Sequence, residues 1–165
     1  EPVTIGYRYR VVVVDDCGHD AITSNMGSSI VLVVTPDLSG VNTLAWNGYQ
    51  QWAGTVGGYV VHRMVGPGVM EALQVAPAQP WELIDDVSDY TTATGLFCYL
   101  VEAIESGSPS GINAISRSNE ACALQEELVY IPNAFILGGY NQVFKPVLAN
   151  VQQLGYELSI INFLG

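Results

Sequence analysis

The sequence has few basic residues and no long apolar run. Its 165 residues include 5 Lys and Arg against 16 Asp and Glu, which gives a net charge of -11. Because a surface of this sign repels a phosphate backbone, nucleic acid is not expected as a partner. No run of about 18 apolar residues occurs, so the sequence predicts no membrane-spanning helix.

Short catalytic motifs are also lacking. The chain has only two histidines, and it contains no H-E-x-x-H, no G-x-S-x-G and no glycine loop of the phosphate-binding kind. From these absences we predict that the chain is not an enzyme and that it carries no cofactor.

The composition favours short strands joined by turns. Hydrophobic residues make up 49% of the chain and charged residues 13%, with 17 Gly and 8 Pro. This profile argues against a helical bundle and against a disordered chain. Apolar residues alternate with a period of two, which is typical of strands with one buried face, at residues 7–14, 42–46, 58–63 and 95–104.

An internal repeat organises the chain. Residues 7–13 read Tyr-x-Tyr-x-Val-x-Val, and residues 97–103 read Phe-x-Tyr-x-Val-x-Ala. The two segments lie about ninety residues apart, a spacing typical of tandem small β-sandwiches, and the dipeptide Ser24-Asn25 recurs as Ser118-Asn119. We therefore predict that the chain has three parts. Residues 1–36 form the end of one sandwich, residues 37–127 form a complete sandwich, and residues 128–165 belong to a further domain.

The predicted complete sandwich resembles a fibronectin type III domain. Residues 44–46 (Leu-x-Trp), 58–63 (Gly-Tyr-x-Val-x-Arg) and 97–103 match three strand patterns of that family. The resemblance implies an all-β fold of immunoglobulin-like, fibronectin type III-like sandwiches in tandem. Because the matching positions belong to the core of that fold, they imply no activity.

The three cysteines bear on the compartment. Cys98 lies on the clearest alternating strand, and Cys122 lies on the strand expected to return beside it. A disulfide between them would close a loop of about 25 residues, would stabilise the fold by about 3 kcal/mol and would require an oxidising compartment. Two buried free thiols are the alternative. Cys17 has no evident partner.

Two further sets of residues have open interpretations. The acidic residues at 15–20 and 85–89 suit either calcium binding through oxygen ligands or ordinary solvated turns. The aromatic residues Tyr49, Trp52, Trp81 and Tyr90 either stack on sugar rings or anchor loops to the core.

The C-terminal residues carry the most specific pattern. Residues 129–135 read Val-Tyr-Ile-Pro-Asn-Ala-Phe, and residues 143–147 read Val-Phe-Lys-Pro-Val. Two apolar runs around a turn predict a pair of short strands. The sequence of these two segments resembles the opening of the type B C-terminal sorting domain of the type IX secretion system, a family also described as gliding-motility-associated. The intervening residues 136–142 lack the aspartates of the family's pattern.

The resemblance implies the C-terminal end of a secreted cell-surface protein of the Bacteroidota, such as a large repeat-built adhesin. The implied partners are the type IX machinery and an outer-membrane barrel of the PorP/SprF kind. Alternatives are the accessory end of a secreted hydrolase and a small carbohydrate-binding module. The residues expected to contact the sorting machinery are Ile131, Pro132, Asn133, Ala134, Phe135, Phe144, Lys145 and Pro146.

Overall fold

The computed structural model describes residues 5–66, 68–76, 80–90, 94–131 and 146–150, together with residues 157 and 159. These residues form strands, turns and irregular segments, and no helix occurs among them. The prediction of an all-β chain is therefore confirmed. Within the same ranges, no helix is long and apolar enough to cross a membrane.

Four short strands precede the main body of the structure. β1 pairs with β4, and β2 pairs with β3, in two antiparallel ladders. Their bounds are β1 Arg8–Tyr9, β2 Val12–Val14, β3 Asp20–Thr23 and β4 Gly27–Ser28.

The single strand predicted over residues 7–14 is thus wrong, because two ladders share this segment. The hydroxyl oxygen of Ser24 accepts the N–H of Val11, and Ser24 donates its own N–H to the Val11 carbonyl. These two bonds join residues 11 and 24 between the β1–β4 ladder and the β2–β3 ladder, where the strand is interrupted. The predicted apolar stripe of Tyr7, Tyr9, Val11 and Val13 is exposed.

The body consists of two antiparallel sheets. In one sheet the order is β11-β10-β7-β8, with β12 also paired to β10, and in the other it is β5-β6-β9. The bounds are β5 Leu32–Pro36, β6 Val41–Trp46, β7 Thr55–Gly66, β8 Val69–Ala76, β9 Glu82–Asp86, β10 Leu96–Ser106, β11 Ile115–Arg117 and β12 Ala121–Leu124. Because β5 pairs with β6, the predicted division between residues 36 and 37 falls between two paired strands.

One hydrophobic core lies between these sheets, as in a β-sandwich. The inward-facing residues of the alternating patterns at 42–46, 58–63 and 95–104 point into it, because successive side chains of a strand face opposite sides of the sheet. Burial of each large apolar side chain stabilises the fold by about 1.5–3 kcal/mol. The core includes Leu32, Leu44, Trp46, Tyr59, Val61, Phe97, Tyr99, Val101 and Ala103.

A polar network lies at one end of this core. Arg63 is buried and donates hydrogen bonds to both carboxylate oxygens of Asp85, at 3.0 and 3.1 Å. The Tyr99 hydroxyl donates to Asp85 at 2.8 Å and accepts from the side-chain amide of Asn42 at 2.7 Å. Burial is the main reason why the pKa of Tyr99 is raised. The Arg63 side chain therefore has its countercharge inside the fold.

The dipeptide found twice in the sequence makes equivalent contacts. Just as Ser24 accepts the N–H of Val11, the Ser118 hydroxyl accepts the N–H of Val101 at 3.0 Å. The amide of the following Asn119 bonds both the N–H and the carbonyl of Leu32, at 2.8 and 3.0 Å. The Asn119 side chain thus occupies the edge of β5 much as a neighbouring strand would.

Cys98 and Cys122 stand directly opposite each other on β10 and β12 and form a disulfide. The predicted pairing is confirmed, and the alternative of two free thiols is excluded. Cys17 is free and exposed. A disulfide of this kind fits an extracellular or secreted protein, because such bonds persist in oxidising compartments.

The predicted C-terminal strand pair is present with shifted bounds. β13 (Leu128–Tyr130) pairs antiparallel with β14 (Val147–Ala149). We call β13 and β14 together the C-terminal strand pair. The chain between them, residues 132–145, lies outside the described residues.

We expect removal of the disulfide by the double substitution C98A/C122A to lower the free energy of unfolding by about 3 kcal/mol, because the cross-link restricts the unfolded chain. Urea denaturation monitored by tryptophan fluorescence measures this change. The matched control is Cys17→Ala, which should change stability by less than about 0.5 kcal/mol at an exposed site. A double variant as stable as the control would contradict the assigned role of the bond.

We also expect Asp85→Ala to destabilise the fold by about 3–5 kcal/mol, because it leaves the buried Arg63 guanidinium without its main countercharge. Asp89→Ala, in the neighbouring exposed turn, serves as the control in the same urea measurement. Equal stability of the two variants would show that the buried ion pair does not support the core.

Candidate functional site

Two of the eight residues predicted to contact the sorting machinery lie within the described part of the chain. Ile131 follows β13 and is exposed, and Pro146 precedes β14 and is half-buried. Because Tyr130 and Val147 are paired in the ladder, Ile131 and Pro146 lie at the same end of the C-terminal strand pair. Residues Pro132, Asn133, Ala134, Phe135, Phe144 and Lys145 lie outside the described residues.

The C-terminal strand pair presents apolar side chains to solvent. Four of its large hydrophobic residues and the adjoining Ile131 are between 55% and 64% exposed, whereas Leu148 is half-buried. Exposed apolar side chains grouped in this way are typical of interaction sites in soluble proteins. The residues are Leu128, Val129, Tyr130, Ile131 and Val147.

The strand pair is attached to one end of the body. The Asn150 side-chain amide donates to the carbonyl of Glu126 at 3.1 Å. Gly95, with a φ of +64°, lies so close to Asn150 that an added Cβ would come within 2.9 Å of the Asn150 Cβ. A side chain at position 95 would therefore disturb this attachment as well as strain the backbone.

A second surface is a cleft beside the four short N-terminal strands. Its volume is about 360 Å³, and we call it the N-terminal cleft. The segment 6–8 and β4 form one side, and the loop 47–51 with Trp81 forms the other. The lining side chains that offer aromatic or polar groups are Tyr7, Arg8, Ser28, Ser29, Asn47, Gln50, Gln51 and Trp81.

Trp81 has a fixed position at this cleft. A Cβ added to Gly48 would collide with Cζ2 of its indole ring, so the ring rests directly against the Gly48 backbone. Its carbonyl accepts the N–H of Trp46 at 3.0 Å, which continues the ladder beside β6 and β9. Trp81 also lines a shallow apolar hollow with Val31 and Val33.

The other aromatic residues singled out in the sequence make contacts with side chains of the fold. The Tyr49 and Trp52 rings pack against each other at 4.3 Å, and Tyr49 donates its N–H to the Tyr59 hydroxyl at 2.7 Å. Burial, followed by a hydrogen bond with Tyr9, raises the pKa of Tyr49 to about 12. The ring of Tyr90 lies under the Arg63 guanidinium at 4.1 Å. Trp81 is thus the member of this set that faces the cleft.

The acidic turns use their oxygens internally. Asp85 binds Arg63, and Asp86 accepts the N–H and the hydroxyl of Ser88. Asp15 accepts two backbone N–H groups of its own turn, at 2.9 Å each. Across the described ranges, the grouping of metal-ligand side chains is Cys98, Glu120 and Cys122, in which both sulfurs belong to the disulfide.

One ion-pair cluster occupies the outer face of the larger sheet. Glu102 on β10 accepts from Nε of Arg117 at 2.7 Å and contacts Nε2 of His62 at 3.1 Å. Burial alone would raise the pKa of the Glu102 carboxyl, but the hydrogen bonds with Arg117 and His62 outweigh it and hold the pKa below its usual value. The cluster ties β10 to β7 and to β11.

No model of a known protein family matches the chain, and no curated protein matches it. Similar solved structures include pectate lyase PelI from Erwinia chrysanthemi in complex with tetragalacturonic acid, with 20% identity over 57% of this chain and 27% of that one, at a TM-score of 0.42. Pectate lyase Pel3 from Pectobacterium carotovorum has 18% identity over 57% of this chain and 26% of that one, at a TM-score of 0.43. The chain thus spans about a quarter of each.

Both of these proteins are enzymes, and this finding contradicts the prediction that the chain is not an enzyme. That prediction rested on the absence of a few short motifs. Such motifs describe only the enzyme classes from which they come, so their absence does not exclude catalysis in general. At these TM-scores the similarity assigns no activity to the chain.

The Glu102 cluster yields a prediction about pH. A carboxyl whose pKa is lower in the folded state than in the unfolded state stabilises the fold at every pH above the unfolded pKa, which for Glu102 is near the ordinary 4.5. This stabilisation is lost as the pH falls through the folded pKa. We expect Glu102→Gln to be less stable than the unmodified protein at pH 6, with the difference shrinking at pH 3. Urea denaturation at both pH values measures it.

The control for this experiment is Glu82→Gln, which alters an exposed carboxylate on β9. Its stability should follow that of the unmodified protein at both pH values. A Glu102→Gln variant with the same stability deficit at pH 3 as at pH 6 would contradict the assigned ionic contribution.

Proposed function

We propose that the chain is the C-terminal segment of a secreted, cell-surface bacterial adhesin whose last residues direct export and surface attachment by the type IX secretion system. The observation that carries the proposal is the C-terminal strand pair. Its ladder overlaps the sorting-domain pattern at Val129, Tyr130 and Val147, and these three side chains are exposed.

An exposed pair of strands is suited to recognition by another protein. Two strands alone are marginally stable in water, and an open strand edge offers backbone groups that a partner strand can satisfy. We propose that the type IX machinery and a PorP/SprF-type outer-membrane barrel are the partners, with Ile131, Pro146 and residues 132–135 and 144–145 at the contact.

The repeat supports the proposal of fibronectin type III-like sandwiches in tandem. Residues 7–13 match 97–103 in sequence, and Ser24 and Ser118 accept equivalent backbone N–H groups. The stripe that is buried at 97–103 is exposed at 7–13. Its exposure fits a segment that completes a preceding sandwich, in which the same stripe would face that sandwich's own core.

The disulfide supports the route. A cross-link between β10 and β12 forms and persists outside the reducing cytosol. Export through the periplasm would supply the oxidising compartment, and a cross-linked sandwich would remain folded as a spacer at the cell surface.

The test is deletion of residues 128–165 from the native protein in its source organism. We expect the truncated protein to accumulate in the periplasm, because the recognised strand pair is removed. Antibody labelling of intact cells measures surface display. Oxidation of Cys98 and Cys122 in the retained protein verifies that the body has folded. Normal surface display of the truncated protein would overturn the proposal.

A point substitution sharpens the same experiment. Ile131→Asp places a charge at the end of the strand pair, and Ile112→Asp places one on a distant loop where the side chain is 75% exposed. We expect reduced surface display for the first variant and normal display for the second. Equal surface display of the two variants would show that the strand pair is not part of the recognised surface.

A further inference from the structure

The N-terminal cleft combines the aromatic rings of Trp81 and Tyr7 with polar side chains that have no side-chain partner among the described residues. The Arg8 guanidinium and the side-chain amides of Gln50 and Gln51 line the cleft. None of the three makes a side-chain hydrogen bond or ion pair to another residue within the described ranges. Planar amide and guanidinium groups of this kind present donors and acceptors in a fixed geometry.

Trp81 supplies the apolar part of the surface. Its indole is held against the Gly48 backbone, and it is 38% exposed. A fixed aromatic ring offers a large contact area with little loss of conformational entropy on binding. The ring also separates the polar cleft from the apolar hollow at Val31 and Val33.

The loop that carries the two glutamines is held in place. Gln51 has a φ of +87°, in the left-handed region that side chains rarely adopt. Its carbonyl accepts a hydrogen bond from the Asn25 side chain. Asn47, at the start of the loop, bonds Val31 N–H at 2.6 Å and the Ser29 carbonyl at 3.1 Å. Backbone strain maintained by surrounding contacts is typical of functional sites.

From these features we propose that the N-terminal cleft binds a saccharide. One face of a sugar ring carries C–H groups that stack on Trp81, and its hydroxyl groups hydrogen-bond to Arg8, Gln50 and Gln51. The cleft volume of about 360 Å³ lies in the range of small-ligand sites.

Other ligand classes fit this cleft less well. An apolar ligand would displace water from the guanidinium and from both amides without offering them hydrogen-bond partners in return. A ligand with several phosphates would be repelled by a chain of net charge -11, in which Arg8 is the one charged residue that lines the cleft. A neutral or singly acidic saccharide avoids both penalties.

The test uses the complete protein, purified and with its disulfide intact, on an array of neutral hexose oligosaccharides and uronic-acid oligosaccharides. We expect binding to at least one class, and isothermal titration with that oligosaccharide should then give a loss of roughly tenfold or more for Trp81→Ala. Tyr130→Ala is the matched control, because it removes an exposed aromatic ring that does not line the cleft. This variant should leave the affinity unchanged.

Two further variants keep the test decisive if Trp81→Ala fails to fold. Arg8→Ala and Gln50→Ala remove exposed side chains that make no hydrogen bond in the described structure, so both should fold normally and bind several-fold more weakly. A larger loss on uronic-acid than on neutral oligosaccharides for Arg8→Ala would assign a carboxylate to the ligand, whereas equal losses would assign a neutral sugar.

The proposal is overturned if the array shows no binding at millimolar concentration, or if all three cleft variants bind as tightly as the Tyr130→Ala control. The result is independent of export. Deletion of residues 128–165 should leave saccharide binding intact, so failure of the sorting proposal and failure of the saccharide proposal can be told apart.

Discussion

Strand β10 is the element on which the rest of the structure depends. It pairs with β7 along most of its length and with both β11 and β12 on its other edge. Because side chains alternate between the two faces of a sheet, a shift of one residue in this pairing would turn the whole core-facing set to solvent. The disulfide from Cys98 to Cys122 fixes the same register covalently.

Because side chains alternate between the two faces of the sheet along β10, one acidic side chain also faces the interior of the sandwich. Glu105 continues the inward-facing set of Phe97 to Ala103 and is buried. Its two carboxylate oxygens accept the N–H groups of Gly54 and Ala114, at 2.8 and 3.1 Å. A buried carboxylate is tolerated where such bonds satisfy it. Glu105 thereby anchors two loops at the end of the sandwich opposite the polar network of Arg63 and Asp85.

Export and ligand binding make different demands on the same chain. The C-terminal strand pair is accessible because Leu128, Val129, Tyr130 and Val147 are exposed, and this exposure suits recognition by a partner. The N-terminal cleft is built in the opposite way, with Trp81 held on Gly48 and the loop held by Asn25 and Asn47.

The sequence alone determined the features that depend on local periodicity. The inward stripe of β10, the core positions Leu44, Trp46, Tyr59 and Val61, and the pairing of Cys98 with Cys122 all follow from a period of two and from the return of the next strand. The presence of a strand pair near residues 129–147 followed in the same way, from two apolar runs around a turn.

Only the tertiary structure decided the features that rest on contacts between distant residues. Periodicity predicted one strand over 7–14, but the side chain of Ser24 divides it into β1 and β2. The sequence left the same two interpretations open for Trp52 and Trp81, and the structure packs Trp52 against Tyr49 and places Trp81 at the cleft. A pattern along the chain specifies which face a residue occupies, whereas the identity of the group opposite it depends on how the sheets and loops come together.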